Sequence, residues 1–342
     1  MESLEKLEIV HNPTSLNEET WGRFVLDSEY GNIFQTPEMY KVYLNTELYE
    51  PVFTALLDEN EDIRATLLGV RKEEAGSLAK RFSKRVLALG GPILSKGVQE
   101  PRLLELVLQA HNDHVCKTAM FTDLRNVYPS NEHQAQFEKS GYKFIEHATS
   151  YVDLGQGAEA IWNGLKSKRR QQIRKAIKSG LTSDVATMDD LDGIYKLFEE
   201  TYERISFPTP PKSLFGSILS ELQPKDYARL TVIRADEGLA AVVINLLYKD
   251  LVYAWYCAGT MKYARLHCNE YAFWSTFEWA AENNFKHFDF GGGGDPAQIN
   301  GVRTFKERMS AVTREIGRYE CVHNRLKHKV ATLGFKIWRS IR

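Results

Sequence analysis

The chain has 342 residues, 43% of them hydrophobic, enough to bury two cores of ordinary size. Its 44 Lys and Arg nearly cancel its 45 Asp and Glu, so no global field draws it to a polyanion or a membrane, and any affinity for phosphate is local. Four widely spaced cysteines without a CxxC pair argue against zinc and for reduced thiols, and no apolar run reaches the roughly 18 residues that span a bilayer.

The N-terminus is acidic and lacks the basic and apolar regions of a signal peptide, so a cytoplasmic location is expected. The first predicted elements are a helix over 21–30, an extended segment and a helix over 33–44. Strands at 51–59 and 63–73 follow, joined by an acidic turn. Then come a strand and turn at 85–95, an amphipathic helix at 101–115 and a strand at 119–129. A short helix at 134–142, ending at Gly141, leads to a final strand at 143–154.

The next segment, LKSKRRQQIRKAIKSG at 165–180, carries Lys166, Lys168, Arg169, Arg170, Arg174, Lys175 and Lys178 with no acidic residue among them. At helical spacing Arg170, Arg174 and Lys178 form one stripe, while Ile161, Trp162, Leu165, Ile173 and Ile177 supply an inward face. Such a stripe suits a phosphate-rich partner such as tRNA, coenzyme A or a diphosphate lipid; a solvated helix face is the alternative.

From 189 onward the order of the first half returns. Helices at 189–205 and 211–222 precede strands at 227–236 and 239–249, then a strand at 251–259 and a helix at 269–284. A strand at 286–292, a helical turn at 302–310 and a last strand at 313–322 complete the repeat. The pattern implies a duplicated α/β domain with its junction near 154–160, giving a first domain over 1–155 and a second over 156–320. The remainder, 321–342, holds a basic amphipathic helix with Leu326, Val330, Leu333, Ile337 and Trp338 on one face. It packs on the body or, alternatively, touches a membrane surface at its periphery.

The strongest chemical signal is FDFGGGGDPAQINGVRTFKERMS. Gly291, Gly292, Gly293 and Gly294 follow a strand that ends at Phe290, and they permit close approach of a ligand to the backbone. Lys306 follows Phe305 on one helical turn, so Phe305 enters the core while the ammonium points back over the loop. A cation there binds phosphate or a developing oxyanion, and one such donor is worth about 2.7–4 kcal/mol in the transition state. A surface lysine beside a structural turn is the alternative.

Asp289 and Asp295 are the carboxylates nearest the loop and the candidates for proton removal, Asp289 ranking first. Tyr256, at the end of the preceding strand, is a candidate for hydrogen bonding to the acceptor, with an edge aromatic as its alternative. Asn269 reads as the N-cap of the helix that follows. No GxSxG, Cys–His pair, HExxH, Walker loop or dinucleotide fingerprint is present, which leaves covalent catalysis and nucleotide hydrolysis without machinery.

Taken together, FQTPEMYKVY at 34–43, the basic stretch at 165–180, and FDFGG followed by GVRTFK resemble, in order and over nearly the whole chain, the Fem-type (FemABX) peptidyl and aminoacyl transferases of the GNAT superfamily. The resemblance implies an α/β fold of tandem GNAT-like domains, each a mixed β-sheet flanked by helices. It implies a C-terminal helix returning to the first domain and an active-site channel in or beside the second. It also implies transfer from aminoacyl-tRNA or acyl-CoA to an amine on a cell-envelope precursor, small or lipid-linked, by direct attack. No metal and no permanently bound cofactor are expected, and the chain is expected to act as a monomer or weak dimer. Lys306 matches the family's lysine in the Phe-Lys element, which contacts the donor's charged groups or the oxyanion. Phe34 and Gln35 would shape the domain interface or the acceptor groove.

Several departures narrow the substrate. Where peptidoglycan-specific members carry a lysine for the precursor diphosphate, this chain has Glu38, and RISFPTPPKSLF at 204–215 lacks their arginine and tyrosine in register, leaving Lys212 as the substitute. The interdomain coiled-coil arm of some members is absent. The GNAT pyrophosphate loop is also absent from KYARLHCNEYAF, where Lys262 and Arg265 stand in part for it. Two other readings stay open: an acyl-CoA-dependent N-acyltransferase of an amino sugar in polysaccharide assembly, and a binding module for tRNA or a precursor without turnover.

Overall fold

The structure, a computed structural model, describes residues 6–72, 84–97, 100–129, 131–294 and 301–324. The chain divides into two compact units: one runs to Glu146 and resumes at Ile316, the other is His147–Glu315.

The first unit opens with β1 (Glu8–Val10), α1 (Glu18–Asp27) and α2 (Pro37–Leu44). Asn17 caps α1 by accepting from the Thr20 N–H, and Thr36 caps α2 ahead of Pro37. Then come β2 (Tyr49–Leu57), β3 (Ile63–Lys72), β4 (Arg85–Leu89) and β5 (Ile93–Leu94). They are followed by α3 (Glu100–Val115), β6 (Phe121–Arg125), α4 (Gln134–Lys139) and β7 (Lys143–Ile145).

Leu103, Leu104, Val107 and Leu108 of α3 cover one sheet face against Leu67, Ala88 and Leu124. On the other side Trp21 of α1 packs on Phe53 of β2, ring centres 4.6 Å apart. Gln35 is fully buried and pins two strands: its amide donates to the carbonyls of Leu68 (2.9 Å) and Leu89 (2.7 Å), and its oxygen accepts the Leu68 N–H (2.7 Å). Phe34 beside it is 1% exposed. The expectation that Gln35 shapes an acceptor groove is therefore corrected, because its side chain holds β3 and β4 in place within the first unit.

The second unit repeats this order. It contains β8 (Ala148–Asp153), α5 (Ala158–Gly164), α6 (Ser167–Lys178), β9 (Thr182–Val185), α7 (Leu191–Arg204) and α8 (Lys212–Ser217). It continues with β10 (Ala228–Ala235), β11 (Gly238–Tyr248), β12 (Leu251–Gly259), α9 (Cys268–Glu282), β13 (His287–Gly294), α10 (Gly301–Arg308) and β14 (Val312–Glu315). From Ala240 to Tyr248, β11 is buried without a break, as expected of a central strand covered on both faces. Phe273, Phe277 and Ala280 of α9 pack with Phe288 and Phe290 of β13 on one face. On the other face Phe198 of α7 stacks on Phe215 of α8, ring centres 4.3 Å apart.

The remaining strand is β15 (Arg318–Val322). The strand order is β1-β2-β3-β4-β6-β15-β7 in the first sheet and β14-β8-β13-β12-β11-β10-β9 in the second. Each half's expected final strand thus breaks in two, at Glu146–His147 and at Ile316–Gly317, and the second piece enters the other sheet. Strand β8 pairs with β13 and β14, while β15 pairs with β6 and β7. A domain boundary at 155 therefore falls one strand late, because hydrogen bonding assigns β8 to the second sheet. The expected C-terminal amphipathic helix lies outside the described residues.

Candidate active site

In the second unit, β12 and β13 are the parallel pair, and their register runs only from Leu251↔His287 to Tyr253↔Asp289. Beyond it β12 continues to Gly259 on β11, while β13 continues on β8, so the two strands separate. The separation begins at a turn built into the sequence. Asp289 Oδ1 accepts the Gly291 N–H at 2.7 Å across Phe290, and Gly291 takes φ 68°, a left-handed conformation that favours glycine. A Cβ at Gly291 would also meet the Tyr253 hydroxyl at 3.1 Å. The Thr149 hydroxyl of β8 lies against Asp289 Oδ1 and 3.1 Å from the Gly291 carbonyl, with one proton to donate to either.

The turn directs three carbonyls at one cation. Lys306 of α10 donates to Phe290 O (3.1 Å), Gly291 O (2.8 Å) and Gly292 O (2.8 Å), which engages all three protons of the ammonium. Lys306 is 6% exposed and Asp289 is 0% exposed. Burial lowers the Lys306 ammonium to about 8, against the favourable charge of Asp289 and, to a lesser degree, Cys257. Burial raises the Asp289 carboxyl to about 6, opposed by Thr149, the Gly291 N–H, Tyr151 and Lys306. Near pH 7 the site therefore holds a buried carboxylate and a buried ammonium around a glycine turn.

The carbonyls of Gly291 and Gly292 face the lysine, and the Gly291 N–H is held by Asp289. Gly292 has its α-carbon turned to His147 of the loop before β8, whose Nε2 would lie 2.9 Å from an added Cβ. Gly293 and Gly294 complete β13. Asp295 lies outside the described residues.

A bulge sets the direction of Tyr256. In the β11–β12 register Ile244 opposes Tyr256 and Asn245 opposes Ala254, which leaves Trp255 as a bulge. The extra residue turns Tyr256 to the α7–α8 face, where it meets Phe198 and Phe215 edge-on at 6.0 and 5.9 Å. Cys257, the next residue, takes the opposite face. Desolvation raises its thiol, and the Lys306 charge favours the thiolate.

The basic stripe divides by role. Arg169 is buried, paired with Glu270 of α9, and stacked 5.0 Å from the Phe305 ring, which itself packs into the core. Arg170 donates to the carbonyls of Asn163 (2.9 Å) and Leu165, closing the end of α5. Arg174 and Lys178 remain exposed, Arg174 lying 5.3 Å from the Trp162 ring. Ile177, expected to face inward, is 47% exposed. Two of the three stripe positions thus offer charge to solvent, and Arg170 serves the fold.

Asn269 is not the cap of α9. His267, in a left-handed conformation, holds that position without a side-chain bond, and Asn269 packs in the first turn against Gly259, where a Cβ would collide with its amide. Lys212 pairs with Asp192 at the surface. Thr149, Cys257 and the Arg169–Glu270 pair are site features that residue patterns missed. Among the described residues no three His, Cys, Asp or Glu gather as a metal site, and no helix is long and apolar enough to cross a membrane.

Comparison with known proteins places this geometry. Residues 167–306 match the family model described as acetyltransferase (GNAT) domain, the segment from α6 to Lys306. Comparison with curated proteins gives no match. Among solved structures, FemX superposes with a TM-score of 0.70 at 13% identity, covering 94% of this chain and 99% of its own. The C-terminal domain (DUF2156) of a protein assigned as a lysylphosphatidylglycerol synthetase from Agrobacterium fabrum gives 0.59 at 15% identity, covering 94% and 95%. A tandem GNAT protein from the clavulanic acid biosynthesis pathway gives 0.57 at 8% identity, covering 93% and 99%. Residues 167–306 thus match an acetyltransferase (GNAT) domain model, and the chain shares its fold with FemX.

Proposed function

We propose that this protein transfers an acyl or aminoacyl group to an amine of a cell-envelope precursor, with the chemistry in the opening between β12 and β13. The observation that carries this reading is the buried Lys306 ammonium held by the Phe290, Gly291 and Gly292 carbonyls where the parallel strands separate. The acceptor's neutral amine attacks the donor carbonyl directly, and the oxyanion that forms displaces one of the three backbone carbonyls from Lys306. The C–N bond forms, the donor's C–O or C–S bond breaks, and the amine's proton leaves with the departing alkoxide or thiolate. Asp289, buried and bonded to the turn, fixes the lysine's carbonyl cradle; its role is positioning rather than proton removal.

The envelope acceptor is supported by the likeness to FemX and to the lysylphosphatidylglycerol synthetase domain. Glu38 argues against a bare diphosphate beside α2, since a carboxylate there repels it. The exposed Arg174 and Lys178 suit the phosphates of either donor. A second reading, an acyl-CoA-dependent N-acyltransferase, is favoured by the acetyltransferase family match.

Thermal stabilisation separates the two. A shift with acetyl-CoA that weakens in Lys306→Ala supports the CoA enzyme, and a shift only with charged tRNA supports aminoacyl transfer. No shift with either, together with no turnover, would sink both.

A further inference from the structure

The first unit has an opening of its own at the equivalent place. Its parallel pair, β4 and β6, runs in register from Arg85↔Phe121 to Leu89↔Arg125, and the chain then turns away at Gly90 and Gly91, both at positive φ. A cavity of about 380 Å³ lies where the strands part, lined by the loops after β4 and β6, the first turns of α3, and the loop after α1. That volume falls within the range of small-molecule sites.

The cavity walls include Ile93, Leu104 and Phe137, and the Tyr30 and Tyr128 rings, 5.8 Å apart, also line it. Three carboxylates line it, Glu29, Glu100 and Glu132, against one lysine, Lys96, which pairs with Glu29 at 3.1 Å. Glu132 accepts from the Tyr30 hydroxyl at 2.8 Å, and His133 Nε2 lies 3.6 Å from Glu100 and 3.8 Å from Glu132. Excess carboxylate repels an anion such as a nucleotide, while the tyrosine faces and the Glu100–Glu132 pair favour a cation.

We propose that this cavity binds a small organic ammonium ion, its apolar body against Ile93, Leu104 and Phe137 and its charged head between Glu100 and Glu132. The site stands independently of the function proposed for the β12–β13 opening, because every lining residue belongs to the first unit.

The test is calorimetric titration of the full chain with benzylamine, with benzyl alcohol and benzoate as neutral and anionic counterparts. Benzylamine should bind saturably at one site, benzyl alcohol more weakly, and benzoate not at all. Glu100→Gln and Glu132→Gln lie at a partly exposed rim, and each should weaken benzylamine several-fold, about tenfold together. Lys306→Ala, in the other unit, should leave its affinity unchanged. Benzoate binding as tightly as benzylamine, an unaltered affinity in the folded double variant, or no saturable heat from benzylamine at millimolar concentrations would each overturn the assignment.

Discussion

Asp289 Oδ1 accepts the backbone N–H of Gly291 at 2.7 Å, and this reach across one residue ties the two charges of the site together. It sets the left-handed turn at Gly291, and the turn aims the carbonyls of Phe290, Gly291 and Gly292 at Lys306. The carboxylate that shapes the cradle also favours the charged form of the lysine that the cradle holds. A change at Asp289 therefore acts on geometry and on protonation at once.

Lys306→Ala should lower kcat by about 10²–10³-fold, the usual effect of losing one preorganised donor to an oxyanion. Lys306→Met keeps the apolar stem in its buried channel and removes only the charge, so it should lose as much. Steady-state kinetics of both variants, each checked by circular dichroism to be folded at the assay temperature, decide the matter. A methionine variant close to wild-type rate would make Lys306 a packing residue.

The activity should also follow the two titrations. Between about pH 6 and about pH 8 Asp289 is ionised and Lys306 protonated, so kcat should be highest there and fall on both sides. Lys306→Arg, which stays charged, should remove the alkaline fall even if the plateau is lower. A pH–kcat profile of the two proteins shows whether the alkaline limb belongs to this lysine.

Stability gives a separate view of Asp289. Its folded carboxyl titrates at about 6, above the unfolded value near 3.8, so the folded state binds the extra proton between these values. Stability from this group is therefore present below about pH 4 and lost as pH rises through about 6, on the order of 3 kcal/mol in all. Asp289→Asn lacks this titration. The difference in unfolding free energy, wild type minus variant, should fall by that order between pH 4 and pH 7 in urea titrations. A difference constant with pH would mean that Asp289 is not desolvated.

How far the sequence reveals this arrangement depends on chain distance. The glycine run and the Phe305–Lys306 pair are local patterns within one strand-to-helix connection, so the lysine's place over the turn is readable from residue order. Thr149 lies 140 residues from Asp289 on a strand that residue patterns attach to the first half, and only the exchange of β8 into the second sheet brings them together. Tyr256 and Cys257 trade faces because of a bulge at Trp255, and strand alternation carries no signal for one extra residue. The charge of Arg170 is visible in the sequence, but not the α5 carbonyls that hold it.

In the first unit Gln35 makes three buried hydrogen bonds to two strands, so Gln35→Leu should leave the Leu68 N–H and two carbonyls with no replacement. At about 1–3 kcal/mol for each unsatisfied buried group, the loss should reach several kcal/mol. Calorimetry should show the melting temperature of the first unit's transition falling by more than that of the second.

The pairing of Arg169 with Glu270 joins α6 to α9, and both side chains are mostly withdrawn from water. Burial weakens the Arg169 charge and Glu270 sustains it. Removing one partner strands the other charge, and Arg169→Met or Glu270→Gln alone should cost about 3–5 kcal/mol. The double variant leaves no buried charge behind and keeps similar volume, so it should recover most of that loss, with a coupling energy above about 1 kcal/mol. Because Arg169 also stacks on Phe305, which precedes Lys306, the single variants should lower kcat as well as stability. If the double variant regains stability but not rate, the Arg169–Phe305 contact positions the lysine through α10; if it regains both, the pair serves the fold alone.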